Sequence, residues 1–169
     1  MKTTGFLIGM IRETQGRRAG TKVCLRIDIH LMFLLDTNVI CEVRKGAKAS
    51  PAVRAWFLHH AEQAHYLSVI TAGEIRRGVE QIRAKDPIKA AVFEKSLGEI
   101  LAIFEGRILE IGLDECETWG RLCPQERLPD VDGLMAATAI RHGLVVVTRN
   151  VKDFVRSGVE VVNPWEFSA

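Results

Sequence analysis

The sequence predicts an α/β fold in which a parallel β-sheet is covered by helices on both faces. Two observations lead to this prediction. Short apolar runs alternate along the chain with longer amphipathic segments, which gives a β-α-β-α order. The runs are also apolar at nearly every position, as is typical of strands in parallel sheets that are buried on both faces. In such sheets functional groups lie beyond the carboxyl ends of the strands, where the strand order reverses.

Five strands are predicted from the apolar runs. The first opens at Met32 and contains Phe33-Leu34-Leu35, and another covers Leu144 to Thr148. The other three strands are expected at residues 66–70, 107–111 and 159–162. All of these runs are as short as ordinary strands, and helix-length segments separate most of them, so the chain has room for crossover connections.

Five helices are predicted, at residues 51–60, 71–83, 87–104, 113–122 and 131–141. Ser50 and Pro51 supply an N-cap and a first-turn proline for the first helix, and Asp86 and Pro87 repeat this signal for the third. Glycines follow the ends of the third and fifth helices, as is common at helix C-termini. We see no internal repeat and no domain linker.

Length and composition indicate one globular domain. The chain has 169 residues, of which 47% are apolar and 26% charged, and no stretch approaches the ~20 apolar residues that span a bilayer. It has no signal-peptide core, so we expect a cytoplasmic protein. The cysteines lack metal-binding spacing and are expected to be ordinary thiols; they are Cys24, Cys41, Cys116 and Cys123.

The first 31 residues differ from the rest in charge and pattern. They carry six basic and two acidic side chains, a net charge of +4. Because the whole chain has a net charge of +2, residues 32–169 have a net charge of −2. They also have no clear apolar period. We interpret 1–31 as an N-terminal extension, either poorly ordered or the product of a start codon assigned too early, and 32–169 as the folded domain. Because the basic character lies outside that domain, charge alone does not indicate nucleic-acid binding.

Four acidic residues occupy positions where a parallel sheet collects functional groups. Asp36 directly follows the first strand, and Asp153 follows the fourth. Glu74 and Asp132 lie near the starts of predicted helices. Asp132 shares a helical face with Ala136 and Ala139, whose small side chains leave room for close packing or a ligand.

Each of these acids also has a purely structural explanation. Asp36 would cap the turn that follows it, and Glu74 would complete a Thr71-Ala72-Gly73-Glu74 capping box. Asp132, or Asp130 in its place, would cap a helix, and Asp153 would favour a turn. No single acid is therefore diagnostic.

Together, the four acids predict a metal site. Clustered carboxylates repel one another and raise one another's pKa unless a cation offsets their charge. Mg²⁺, with Mn²⁺ as an alternative, prefers such all-oxygen ligands, and it would activate water and stabilise charge on a phosphodiester. We therefore predict that four residues are both catalytic and metal-ligating: Asp36, Glu74, Asp132 and Asp153.

Other mechanisms have no support in the sequence. It contains no P-loop, no dinucleotide glycine fingerprint and no GxSxG elbow. Asn38 replaces the second acid that haloacid-dehalogenase-like phosphatases need, and receiver domains need an acidic pair and a strand-end lysine that are absent. Four histidines lie near predicted helix ends or a strand start, where solvated or capping roles are expected; they are His59, His60, His65 and His142.

The acids lie in four motifs that together resemble those of PIN-domain nucleases of the VapC/FitB-like branch. The resemblance covers about residues 32–167, and its ordered set of motifs is more specific than any one of them. The motifs are Phe33-Leu34-Leu35-Asp36-Thr37-Asn38-Val39-Ile40, Ser68-Val69-Ile70-Thr71-Ala72-Gly73-Glu74-Ile75, Asp132-Gly133-Leu134-Met135-Ala136-Ala137-Thr138-Ala139 and Thr148-Arg149-Asn150-Val151-Lys152-Asp153-Phe154, followed by Val162-Asn163-Pro164-Trp165.

The resemblance implies a single PIN domain with strand order 3-2-1-4-5 and a Mg²⁺-dependent endoribonuclease activity. It implies that the metal binds most directly to Asp36 and Asp132. It leaves open whether Asp153 or Asn150 is the fourth site residue, and Thr37 and Thr148 are additional candidates. On the same resemblance we expect a type II toxin that cleaves RNA, forms a homodimer and is inhibited by a cognate antitoxin.

Two alternatives remain at this stage. One is an interaction module of the same fold whose acids bind no metal. The other is a FitB-like, partner-dependent DNA-binding complex in which this chain has little nuclease activity. The basic residues that flank the acids would either hold an RNA backbone or be solvated surface charges; they are Arg76, Arg77, Arg149 and Lys152.

Overall fold

A five-stranded parallel sheet forms the centre of the computed structural model, which describes residues 31–122 and 130–168. The strands are Met32–Leu35 (β1), Ala64–Ser68 (β2), Ile108–Leu109 (β3), Val145–Val147 (β4) and Val161–Val162 (β5). Their order is β3-β2-β1-β4-β5, and all four neighbouring pairs are parallel. The α/β class and the predicted strand order are confirmed.

The order reverses at β1, which lies between β2 and β4. Phe33 is in register with His65 on one side and with Val145 on the other. The carboxyl ends of β1 and β4 therefore open side by side at one edge of the sheet. This is the position at which parallel sheets place their functional groups.

Seven α-helices lie in the described part of the chain. They are Thr37–Val43 (α1), Pro51–His59 (α2), Val69–Arg83 (α3), Pro87–Ile103 (α4), Leu113–Arg121 (α5), Asp130–His142 (α6) and Val151–Val155 (α7), with short 3-10 helices at Gly46–Lys48 and Pro164–Glu166. The five predicted helices are all present. The sequence interpretation missed α1 and α7, whose segments it treated as turns, because each is short and directly follows a strand.

Two apolar clusters cover the two faces of the sheet. On one face Phe33 and Leu35 of β1 pack with Trp56 of α2 and Leu97 of α4. On the other face Leu34 packs with residues of α6 and α7 and with those flanking β5. Successive residues of β1 thus point into different cores, which explains why the strand is apolar throughout.

Several helix ends have the predicted chemistry. The Asp86 carboxylate accepts from the backbone N–H of Lys89 at 2.9 Å and caps α4. Ser50 is the N-cap residue of α2, but its hydroxyl makes no capping bond. Gly143 follows α6 with a φ of 62°, a left-handed conformation that glycine adopts without strain.

Some sequence predictions concern residues outside the described part of the chain. These are the N-terminal extension through residue 30 and the state of Cys24 and Cys123. Cys41 and Cys116 are described and are free thiols, as expected. No helix within 31–122 or 130–168 has the length and apolar character needed to cross a membrane.

One histidine prediction is wrong. His65 is neither solvated nor capping: it lies inside β2, is 5% exposed and stacks on Phe33. Burial, reinforced by the charges of Arg107 and His60, lowers the pKa of His65 to about 4. The imidazole is therefore a neutral core group, and its Nε2 has no hydrogen-bond partner among the described residues.

Candidate active site

Asp36 lies at the carboxyl end of β1 and is the N-cap of α1. Its Oδ1 accepts from the backbone N–H of Thr37 at 2.6 Å, so the predicted capping role is real. Its own backbone N–H donates to the carbonyl of Val147 at 3.0 Å, which ties it to the end of β4. Asp36 is only 8% exposed, and its second oxygen contacts neighbouring polar groups.

That second oxygen, Oδ2, is held by two side chains. The Thr148 hydroxyl donates to it at 2.6 Å, and the Asn38 amide also donates to it. Asn38 additionally donates to the Thr148 hydroxyl at 2.9 Å and accepts from the backbone N–H of Arg149 at 3.2 Å. These bonds fix Asp36 between the ends of β1 and β4.

Glu74 reaches the same edge from α3, but not through the predicted capping box. Ser68 caps this helix, with its hydroxyl accepting from the N–H of Ile70 at 3.2 Å. The helix therefore begins at Val69, and the prediction of a Thr71 cap is wrong. Because Glu74 is one turn further into the helix, its carboxylate is free to accept a hydrogen bond from the Thr37 hydroxyl of α1.

Thr71 has a different role from the predicted cap. It is fully buried, and its hydroxyl donates to the backbone carbonyl of Leu35 at 3.2 Å. This bond ties α3 to the last residue of β1, immediately before Asp36. It thus positions the helix that carries Glu74 relative to the strand that carries Asp36.

Asp132 and Asp153 come from the other side of the sheet. Asp132 lies in the first turn of α6, which begins at Asp130, and it is half-buried. Asp153 lies in the first turn of α7, after β4. Within the described residues neither carboxylate receives a hydrogen bond, in contrast to Asp36 and Glu74.

The acids act on one another electrostatically. Burial raises the pKa of Asp132 to about 6, with further contributions from the negative charges of Asp153, Asp36 and Glu74. Burial likewise raises the pKa of Asp36; hydrogen bonds from its neighbours oppose the shift, and the charge of Glu74 adds to it. Asp132 therefore lies within electrostatic range of the other three carboxylates, which come from three separate segments of the chain.

The donor chemistry fits a hard divalent cation. No three His, Cys, Asp or Glu side chains within the described ranges are arranged so that they would hold a metal ion between them. Mg²⁺ does not need such a cage, because it keeps several waters and commonly binds one or two carboxylates. An all-oxygen group in which neighbouring acids help to raise the pKa of Asp36 and Asp132 is suited to Mg²⁺ or Mn²⁺.

Asp153 and Asn150, the two candidates for a fourth site residue, have different links to the other acids. The backbone N–H of Asn150 donates to the Thr148 hydroxyl at 3.0 Å, and its side chain makes no capping bond to α7. The charge of Asp153 acts directly on Asp132. Asp153 is thus linked to the acids through Asp132, and Asn150 is linked to them through Thr148, whose hydroxyl donates to Asp36.

Sequence reasoning missed two polar residues with structural roles, and one of them, Asn38, holds Asp36 in place. Asn38 lies inside the first motif, but from the sequence it indicated only that another enzyme class is excluded. Glu42, on α1, accepts from the Ser50 backbone N–H at 2.8 Å and from the Lys45 ammonium at 2.6 Å. The two hydrogen bonds outweigh the effect of burial and lower the pKa of Glu42. Glu42 could have been found from the sequence, because it is an acid among the apolar residues of this segment.

Comparisons with known proteins agree with this architecture. Residues 33–158 match the PIN domain family. VapC ribonuclease Y4jK of Sinorhizobium fredii is 37% identical over 141 residues, which cover 80% of this chain and 99% of that protein. Toxin FitB of Neisseria gonorrhoeae is 34% identical over 139 residues, which cover 79% of this chain and 99% of that one.

A solved structure gives the same result. FitAB bound to an IR36 DNA fragment contains a chain that superimposes with a TM-score of 0.72 at 32% identity. The match covers 82% of this chain and 99% of that one. The similarity thus extends over nearly the whole length of these relatives.

Proposed function

The chain belongs to the PIN-domain family, and we propose that it is a Mg²⁺-dependent endoribonuclease, the toxin of a type II toxin–antitoxin system. The observation that supports this proposal is that Asp36, Glu74 and Asp153 all act on Asp132, whose pKa is raised to about 6 by burial and by their charges. The ribonuclease and toxin names of relatives at 37% and 34% identity support it. A toxin of this kind would act in the cytoplasm, where its RNA targets are.

We assign the metal-binding role chiefly to Asp36 and Asp132. Mn²⁺ has the same ligand preferences and is expected to substitute for Mg²⁺. A divalent cation bound there would lower the pKa of a coordinated water and stabilise negative charge on the scissile phosphate. The other acids, Glu74 and Asp153, would complete the ligand sphere or orient the attacking water.

The protein's own contribution is to hold the carboxylates in place. Asp36 is fixed by the hydrogen bonds from Thr37, Asn38 and Thr148. The hydroxyl of Thr37 orients Glu74. Thr37 and Thr148 are therefore positioning residues in this proposal, because they act through the acids. Such supporting contacts typically change metal affinity or activity ~10–100-fold when they are removed.

A cognate antitoxin and a second copy of the chain are the expected protein partners. Both expectations come from the family resemblance, and the relative FitAB, which was solved on DNA, supports a partner-dependent assembly. That relative also favours the second candidate function, a DNA-binding complex subunit with little nuclease activity. The two candidates differ in whether the purified chain cleaves RNA.

The decisive experiment is RNA cleavage by the purified chain in Mg²⁺, in Mn²⁺ and in EDTA. Bulk transfer RNA and ribosomal RNA are suitable substrates, since the target is unidentified. We expect cleavage with either metal and none in EDTA. Asp36→Asn should abolish it, because the amide lacks the charge that binds a cation. Asn is as good a helix cap as Asp, but its amide nitrogen cannot accept the hydrogen bonds that Thr148 and Asn38 donate to Oδ2, so thermal unfolding of this variant is measured beside its activity.

Asp86→Asn is the matched control. Asp86 is also an N-cap aspartate, on α4, but its charge does not contribute to the raised pKa of Asp36 or Asp132. It should cleave RNA at the wild-type rate. Cleavage in EDTA, or full activity of Asp36→Asn, would contradict the proposal, and a folded wild-type chain that cleaves no RNA with either metal would favour the DNA-binding alternative.

A further inference from the structure

Two of the basic residues that flank the acids in sequence, Arg76 and Arg149, have different surroundings in the structure. Arg76 is engaged on the surface between α3 and α4. Its Nη1 lies 2.6 Å from Glu94 Oε1 and 3.6 Å from Glu80 Oε1. Both carboxylates compete with any phosphate for this guanidinium, so Arg76 is poorly suited to hold RNA.

Arg149 is not paired in this way. Its side chain is exposed and makes no salt bridge with the described residues. Its charge helps to lower the pKa of Glu42, but that carboxylate is already bound by Lys45 and by the backbone N–H of Ser50. Its backbone N–H donates to Asn38 at 3.2 Å, and the preceding residue, Thr148, donates its hydroxyl to Asp36 at 2.6 Å. The cation is thus anchored, through its backbone, to the hydrogen-bond network that fixes Asp36.

The guanidinium of Arg149 lies over the indole of Trp165, with its Cζ 5.5 Å from the ring centroid. Trp165 belongs to the 3-10 helix Pro164–Glu166 that follows β5. Its backbone N–H donates to Asn163 Oδ1 at 3.1 Å, and its half-buried ring packs against the core cluster that contains Phe33. The indole is therefore a fixed platform at the same edge of the sheet as the acids.

We infer that Arg149 and Trp165 form the contact that holds a single-stranded segment of the RNA substrate beside the acids. The guanidinium binds a phosphate, and the indole face that it covers in the free protein takes an unstacked base. This inference rests on the proposed ribonuclease function, and it names the two side chains that contact the RNA beside the acids.

The chemistry of both groups fits this assignment. Guanidinium matches phosphate oxygens with two parallel hydrogen bonds, and a phosphate is a stronger partner for it than an exposed aromatic face. An indole accepts any base by stacking, without sequence preference. The arrangement also places a positive charge next to an acidic group that would otherwise repel the RNA backbone.

The test measures binding of fluorescein-labelled oligouridylate of about 12 nucleotides, in EDTA, over a series of salt concentrations. Oligouridylate has no internal base pairing, and EDTA removes the metal that cleavage requires. Arg149→Gln should reduce the slope of log affinity against log salt by about one, the effect of one lost phosphate contact. Arg76→Gln, the matched control, should leave the slope unchanged.

Trp165→Leu should weaken single-strand binding roughly 10-fold and leave binding of a blunt RNA duplex unchanged, because only an unpaired base stacks on the indole. Trp119→Leu is the matched control, since Trp119 is the other half-buried indole and lies on α5. Thermal unfolding of all four variants shows whether they are folded at the assay temperature.

Fluorescence gives a readout that a purely structural Trp165 would not show. In Trp119→Phe protein, the two remaining indoles are Trp165 and the fully buried Trp56. Oligouridylate should quench the emission of this variant, and Arg149→Gln should reduce the quenching.

Three results would overturn the inference: an unchanged salt slope in Arg149→Gln, an equal loss in Arg76→Gln, or equal weakening of single-strand and duplex binding in Trp165→Leu. Failure of the ribonuclease proposal is a separate outcome. In that case the wild-type chain would not cleave RNA, while the dependence of oligouridylate binding on Arg149 and Trp165 would still support the contact.

Discussion

Replacing Asp132 with asparagine should make the metal-free protein more stable at neutral pH. Burial and the charges of Asp153, Asp36 and Glu74 raise the pKa of Asp132 from 3.8 to about 6. The folded protein therefore disfavours the ionised carboxylate that is present at pH 7. Asparagine has nearly the same shape and no charge, so this cost disappears.

The magnitude follows from the pKa difference. A rise from 3.8 to about 6 would correspond to roughly 3 kcal/mol at about 1.4 kcal/mol per unit. Asp132 is partly exposed, and solvent screens the repulsion, so we expect about 1–2 kcal/mol. For a domain of this size that gain raises Tm by roughly 2–8 °C.

The gain should depend on pH in a defined direction. The folded chain takes up the Asp132 proton at a higher pH than the unfolded chain does, so the charge costs stability in full above about pH 6. As the pH falls through 6 towards 3.8, the cost shrinks, because the carboxyl is protonated in the folded state. The stability advantage of Asp132→Asn should therefore be greatest at pH 7 and absent near pH 4.

Urea denaturation in EDTA at several pH values measures this difference, with Asp86→Asn as the control. Mg²⁺ or Mn²⁺ should then stabilise the wild type by about 2.7 kcal/mol at 100 times its dissociation constant, and the variant far less. A variant that is less stable than the wild type at pH 7, or whose advantage does not change with pH, would refute the electrostatic reasoning.

Two further substitutions test the hydrogen bond between Thr37 and Glu74 and the buried, neutral state of His65. Thr37→Val removes the hydroxyl that donates to Glu74 and should lower the cleavage rate at saturating RNA roughly 10-fold, with recovery in Thr37→Ser. Unchanged activity in Thr37→Val would show that this bond does not position Glu74. His65 has a pKa lowered to about 4 in the folded protein. Between pH 6.5 and 4 its imidazole therefore stays neutral in the folded protein but is protonated in the unfolded chain. The protein should lose about 3 kcal/mol of stability over this pH range. In His65→Phe that part of the loss, measured as the difference between urea denaturation at pH 7 and pH 4, should disappear; an identical pH dependence would contradict the assignment.

The fold could be predicted because its main signals are local. Continuous apolar strands indicated a parallel sheet, and the cap-and-proline pairs at Ser50-Pro51 and Asp86-Pro87 gave helix starts that the structure confirms. The strand order came from the family resemblance. Together with the rule for strand ends, it was enough to place Asp36 next to the turn after β4.

The errors arose where local signals compete and tertiary contacts decide. Ser68 and Thr71 are both suitable caps for α3, and the sequence favoured Thr71 because Glu74 follows it. The structure selects Ser68, since Thr71 is needed inside the protein to bond the Leu35 carbonyl. A contact between residues 36 positions apart carries no local signal, and neither does the bond of Thr37 to Glu74, 37 positions away.

The acids contribute unequally to the stability of the fold, and this bears on function. Asp36 caps a helix and joins two strand ends, so it has a structural role beside the metal-binding role proposed for it. Asp132 is different: within the described residues its carboxylate has no hydrogen-bond partner, and it is half-buried beside three like charges. Such a group weakens the domain unless something offsets its charge. A bound cation is the physical explanation that also accounts for Asp153. Substitution of Asp132 should therefore raise stability and lower activity, whereas Asp36 has more hydrogen bonds to lose.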